Sequence, residues 1–97
     1  MQINRIEENN KIVVGLVGKL DSTTFSVLEK EIEVMDVEGK TVVLDLKELE
    51  YISSAGLRVV LKLKKIMDRV GSLEVINANE LVLEVFEITG FAAILGL

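Results

Sequence analysis

Residues 41–70 read TVVLDLKELEYISSAGLRVVLKLKKIMDRV, and a change of period within this stretch decides the fold class. Thr41 to Leu46 is a short β-branched run of nearly continuous apolar character, which fits a strand buried on both faces near the centre of a parallel sheet. A six-residue connection, Lys47 to Ile52, leads to Ser53 and Ser54. Leu57, Val60, Leu61, Lys64, Met67 and Val70 then trace one face of a helix with a single basic lapse, and Gly71 closes it.

The same alternation extends in both directions. Toward the N-terminus, Gln2 to Glu7 and Lys11 to Val17 are β-prone runs separated by Glu8, Asn9 and Asn10, whose asparagines suit a hairpin turn. After Gly18, the side chains of Asp21, Ser22, Thr23 and Thr24 can cap a helix, and Phe25, Leu28, Ile32 and Met35 recur at helical steps until Gly39 and Lys40. Toward the C-terminus, Ser72 to Ile76 reads as a further buried strand. Asn77 to Asn79 precede a periodic segment with Leu81, Val82, Val85, Phe86 and Thr89, which ends at Gly90. The expected fold class is α/β: a small, mostly parallel sheet with an N-terminal antiparallel hairpin strand and helices packed against it. At 97 residues the chain suits one domain over 1–97, with no repeat or linker.

Composition removes many functions. There is no cysteine and no histidine, so disulfides, thiol nucleophiles, imidazole bases and the usual zinc ligand sets are unavailable. Eleven basic residues against 16 acidic ones give a net charge of -5, which repels phosphodiester backbones, so no direct nucleic-acid contact is expected. The N-terminus lacks a secretory pattern and no stretch approaches the roughly 18 apolar residues of a membrane span, so a cytoplasmic location is expected. No glycine loop is arranged to cradle phosphate, and no cofactor or metal is expected. A serine at a strand-to-helix turn is similar to a hydrolase nucleophile elbow, but Ile52 and Gly56 flank the pair where that motif needs glycines, and no histidine serves as base. An enzyme is therefore not expected.

Two surface features leave alternatives open. Arg58, Lys62, Lys65 and Arg69 fall at steps of four, three and four on the predicted second helix, either as a solvated face that suits the helix dipole or as a surface for an acidic partner. The apolar tail Phe91 to Leu97 either folds back on the sheet edge or covers a partner, and packing is the expected use.

The stretch Tyr51, Ile52, Ser53, Ser54, Ala55, Gly56, Leu57 lies where a buried strand ends and a helix begins. A serine there can cap the helix, and the small Ala55 and Gly56 leave the first turn uncovered, so the hydroxyl is expected to be presented. Phosphate at such a position gains from unpaired amides and the positive end of the helix dipole. Taken alone, a serine pair at a helix start is an ordinary cap; its context suggests more.

Gly18, Lys19, Leu20, Asp21 resembles the Gly-x-(Leu/Ile)-Asp motif of the STAS family, specifically the stand-alone bacterial anti-sigma factor antagonists. Asp45, Leu46 through Tyr51, Ile52, Ser53, Ser54, Ala55, Gly56, Leu57 is similar to that family's Asp-Leu, spacer, Asp-Ser-(Ser/Ala/Thr)-Gly-Leu signature, and Phe86 to Phe91 gives a looser echo. The resemblance covers nearly the whole chain and implies a STAS fold. It also implies phosphorylation at Ser54, with Ser53, standing where sporulation-type members carry aspartate, as the rival acceptor. Asp21, Ser53, Ser54, Ala55 and Gly56 become the implied partner-binding residues, with a cap for the first helix as the other reading of Asp21. The implied partners are an anti-sigma factor serine kinase, bound in the unphosphorylated state so that a sigma factor is released, and a metal-dependent serine phosphatase. The free protein is expected to be a monomer. The alternative is a non-switching STAS subunit of a lipid-transport or stress-signalling complex.

Overall fold

Strand β1 (Gln2–Glu8) passes into β2 (Lys11–Leu20) through a two-residue turn in which Asn9 takes φ 51°, a left-handed conformation that asparagine tolerates. The computed structural model describes residues 1–97. After the hairpin the order is α1 (Phe25–Val34), β3 (Thr41–Ile52), α2 (Ser54–Val70), β4 (Ser72–Ile76), α3 (Glu80–Ile88) and α4 (Phe91–Ile94). The sheet order is β1-β2-β3-β4, with β1 antiparallel to β2 and the other pairs parallel, as the α/β reading expects.

Strand order advances in one direction from β2 to β4. Right-handed crossovers therefore put α1 and α2 on the same face of the sheet. Alternate residues Ile12, Val14 and Leu16 of β2 and Val42, Leu44 and Leu46 of β3 join Leu28, Leu57, Val60, Leu63, Met67 and Phe86 in one buried cluster. The residues between them face away: Val43 is 4% exposed yet lies outside that cluster, Val13 and Val17 are half-buried, and Ile6 is 57% exposed. The expectation that Thr41 to Leu46 is buried on both faces holds at Val42, Val43, Leu44 and Leu46, although the helices cover only one face of the sheet. Ser72 to Ile76, expected as a buried strand, is instead an edge strand, with Val75 its only buried residue.

The connection expected over Lys47 to Ile52 is instead the second half of β3. Register against β2 advances from Gly15↔Asp45 to Val17↔Glu48 and from Gly18↔Leu49 to Lys19↔Tyr51, so β3 carries an extra residue at each of two bulges. Leu46, Leu49 and Ile52 are consequently the buried residues of this half, at a step of three that no regular strand shows. Asp45 steadies the first irregularity, its Oδ1 accepting from the Lys47 amide at 3.0 Å and from Asn77 Nδ2 at 3.0 Å.

Helix α2 presents a slightly different face from the expected one. Val59 and Leu63 are buried with Leu57, Val60 and Met67, whereas Leu61 and Val70 are half-buried and Lys64 pairs with Asp68 at 2.7 Å. The apolar stripe widens because α2 touches α1 as well as β3 and β4. The tail packs as expected: Gly90 turns the chain at φ 80°, and Ala92 and Leu95 enter the core.

Asn79 ties α3 to the irregular half of β3. Its side-chain oxygen accepts from the Val82 amide at 2.8 Å as an N-cap, while its Nδ2 donates to the Leu49 carbonyl at 2.9 Å. Asn79→Ala removes both bonds and is expected to cost about 1–2 kcal/mol, read as a lowered urea midpoint with an unchanged slope.

Candidate functional site

The parallel strands β2 and β3 end side by side, Leu20 opposite Ile52, and their carboxyl ends deliver the β2–α1 turn and the start of α2 to one place. The Ser53 amide donates to the Leu20 carbonyl at 2.9 Å, so the two segments are joined at the point where α2 begins. Gly56 makes this junction possible. A Cβ there would stand 2.7 Å from both Leu20 Cγ and the Leu20 carbonyl oxygen and 3.0 Å from Ile52 Cγ1, leaving no room for any side chain.

The two serines differ. Ser53 is the N-cap residue, with extended backbone at ψ 178°, and its carbonyl accepts from the Leu57 amide at 2.9 Å. Its hydroxyl makes no capping bond: Ser53 Oγ is buried and has no hydrogen-bond partner. Ser54 is the first helical residue and is exposed. The expectation of a presented hydroxyl therefore holds at Ser54 and fails at Ser53, and the capping expected of this pair is provided by backbone alone. With no side chain capping it, the first turn of α2 keeps its free amides beside Ser54. Ala55, 8% exposed, and Gly56 lie beneath the turn rather than on the surface, because the helix enters directly over the ends of β2 and β3.

Asp21 organises the adjoining turn. Its Oδ1 accepts from the Thr23 amide at 2.9 Å, from Thr23 Oγ1 at 2.8 Å and from Thr24 Oγ1 at 3.2 Å, while its backbone carbonyl accepts from the Phe25 amide at 2.9 Å. Asp21 is thus not the N-cap of α1, which is Thr24; it forms an Asx-type turn that feeds the helix. Thr24 Oγ1 in turn donates to the Lys19 carbonyl at 2.7 Å, fastening the turn to β2. Oδ2 makes no hydrogen bond within the chain and remains available at the surface next to Ser54's helix. The bonds from the Thr23 hydroxyl, the Thr23 amide and Thr24 favour the ionised carboxylate and lower its pKa.

The arrangement has the make-up of a surface: an exposed hydroxyl beside unpaired amides, with a carboxylate on the neighbouring turn. The family model described as Mlab, STAS domain matches residues 4–96. The chain belongs to the STAS family. Among STAS relatives, this chain is 40% identical to a Bordetella bronchiseptica protein named as a candidate anti-sigma factor antagonist, BtrV, over 97% of this chain and 83% of that one. It is 29% identical to the anti-sigma-B factor antagonist of Bacillus subtilis, over 92% of this chain and 83% of that protein. The crystal structure of an anti-sigma factor antagonist from Mycobacterium paratuberculosis superposes with a TM-score of 0.85 at 19% identity, covering 96% of this chain and 80% of that one, a likeness of fold.

The STAS signature residues thereby acquire distinct physical duties. Asp45 holds a bulge, Gly56 admits the close approach, Asp21 builds a turn, and Ser54 alone of the serine pair stands in the open. The sequence contained a signal for the difference between the serines: Ser54 opens a helix whose first inward residues are Ala55 and Gly56, which sets Ser53 against the strand ends.

Two outcomes test this construction. Gly56→Ala is expected to destabilise the chain by about 1–3 kcal/mol, because the backbone of α2 must move away from Leu20, and urea unfolding measures it. For Asp21 the folded-state pKa lies below the unfolded value, so its contribution is present above the unfolded pKa and is lost as pH falls through the folded pKa. The melting temperatures of the natural chain and Asp21→Asn should therefore differ most near about pH 7 and converge below about pH 4.

Proposed function

We propose that this STAS chain is an anti-sigma factor antagonist whose unphosphorylated form binds an anti-sigma factor serine kinase and so releases a sigma factor. The kinase transfers the γ-phosphoryl group of ATP to Ser54 Oγ, which gives up its proton, and ADP leaves. The complex then separates, and a metal-dependent serine phosphatase hydrolyses the ester to restore the hydroxyl and inorganic phosphate. The protein itself contributes a surface and an acceptor, and performs no catalytic step.

The observation that carries this reading is the contrast between the exposed Ser54 and the buried, unpartnered hydroxyl of Ser53. A kinase must bring the γ-phosphorus in line with the acceptor oxygen, which requires open approach. Ser54 offers that approach. The names of the two sequence relatives support the antagonist role, and the uncapped first turn of α2 supports tolerance of the modification. A phosphate at Ser54 adds about -1.5 to -2 charge, stabilised by the free amides and the helix dipole within the fold and repulsive or costly to desolvate at a partner surface. Asp21, with a free carboxylate oxygen on the adjoining turn, belongs to the same contact surface in this reading, whereas Ala55 and Gly56 shape it from below.

Incubation with ATP and the cognate anti-sigma factor kinase is expected to add one phosphate, mapped by peptide mass spectrometry to Ser54 and absent in Ser54→Ala, whose thermal unfolding stays near that of the natural chain. Ser54→Asp should weaken kinase binding roughly tenfold while Ser54→Ala preserves it, as read by calorimetry. Phosphate on Ser53, or equal affinity of the two variants, overturns the switch. Stable association without phosphorylation would instead point to the non-switching role in a lipid-transport or stress-signalling complex.

A further inference from the structure

Four of the chain's 11 basic residues lie along one face of α2: Arg58, Lys62, Lys65 and Arg69 are all exposed, and their spacing forms a stripe about 16 Å long. Nothing within the chain neutralises most of it. Lys62 pairs with Glu29 at 3.6 Å, but Arg58, Lys65 and Arg69 take part in no ion pair. By contrast Lys64, off the stripe, is held by Asp68 at 2.7 Å.

The stripe is also shaped. Its four cations border a shallow depression floored by the half-buried Leu61 and Ile66, and a second depression next to Arg58 and Lys62 reaches toward α1. An apolar floor with a charged rim is the anatomy of a protein contact rather than of a purely solvated face.

We infer that this basic face of α2 is a docking surface for an acidic segment of a protein partner. Charge complementarity selects that occupant. A cationic stripe on a body of net charge -5 attracts a partner's carboxylates locally while the rest of the surface rejects extended anionic polymers and anionic bilayers. The stripe is one helix face long and flanked by Glu29 and Asp68, which suits a short acidic helix or loop. The inference deepens the antagonist reading and rests on it for one point: Arg58 stands one helical turn beyond Ser54. A phosphate on Ser54 is within reach of an i,i+4 guanidinium, so it competes with the partner's carboxylates for the head of the stripe.

The test compares Lys65→Glu/Arg69→Glu, about three and four helical turns from Ser54, with Lys11→Glu/Lys47→Glu, which makes the same change of net charge at exposed residues that are in no ion pair. Binding to the cognate anti-sigma factor kinase is measured by calorimetry and stopped flow, with thermal unfolding as the check on folding. The α2 pair is expected to lose about tenfold or more in affinity, largely through a slower association rate, while the Lys11/Lys47 pair stays within about twofold. Equal losses in both pairs, or no loss in the α2 pair while the natural chain binds and is phosphorylated at Ser54, overturns the docking surface and leaves the Ser54 reading intact. A natural chain that neither binds the kinase nor is phosphorylated overturns both. Co-sedimentation of the natural chain with phosphatidylglycerol vesicles, abolished by Lys65→Glu/Arg69→Glu, assigns the stripe to lipid and likewise overturns the proposal.

Discussion

The close approach of helix α2 to the end of strand β2 is the constraint on which the rest depends. The Ser53 amide bonds to the Leu20 carbonyl, and the same carbonyl oxygen occupies the space that a side chain at residue 56 would need. Glycine is therefore the residue that fits, and the helix begins on the strand ends without a spacer loop. That placement turns Ser53 inward and leaves Ser54 outward, so the character of the two hydroxyls follows from one backbone contact. It also brings the Asp21 turn alongside, because Asp21 directly follows the residue that accepts the bond.

The sheet is asymmetric for a topological reason. With strands added in one direction and crossovers of one hand, the helices gather on a single face, and the core forms between them and alternate residues of β2 and β3. The hairpin strand β1 extends the sheet at one edge, and an ion pair of 2.8 Å between Arg5 and Glu31 links it to α1. The core, aliphatic except for the fully buried ring of Phe86, thus lies under the junction of strand ends.

Much of this was legible in the residues. The alternation of short β-branched runs with helical periods gave the α/β order, the asparagine pair gave the hairpin, and two separated motifs gave the family. What escaped was the second half of β3, because its bulges impose a step of three on Leu46, Leu49 and Ile52 and so hide the strand period. The open face escaped too, since the apolar character of the half-buried Val13 and Val17 reads the same whether or not a helix covers them.

The sequence alone therefore determined the element order, the family signature and the presence of a serine pair at a helix start, since these are local patterns written in neighbouring residues. Only the tertiary structure decided which serine is accessible, that Ala55 and Gly56 lie below the surface, and that Asp21 builds a turn instead of capping α1. The first two depend on contacts between β2 and the β3–α2 junction, more than thirty residues apart in the chain, and no local pattern encodes the distance between them; the third rests on which of several neighbouring oxygens the Thr23 and Thr24 donors meet once the turn is folded.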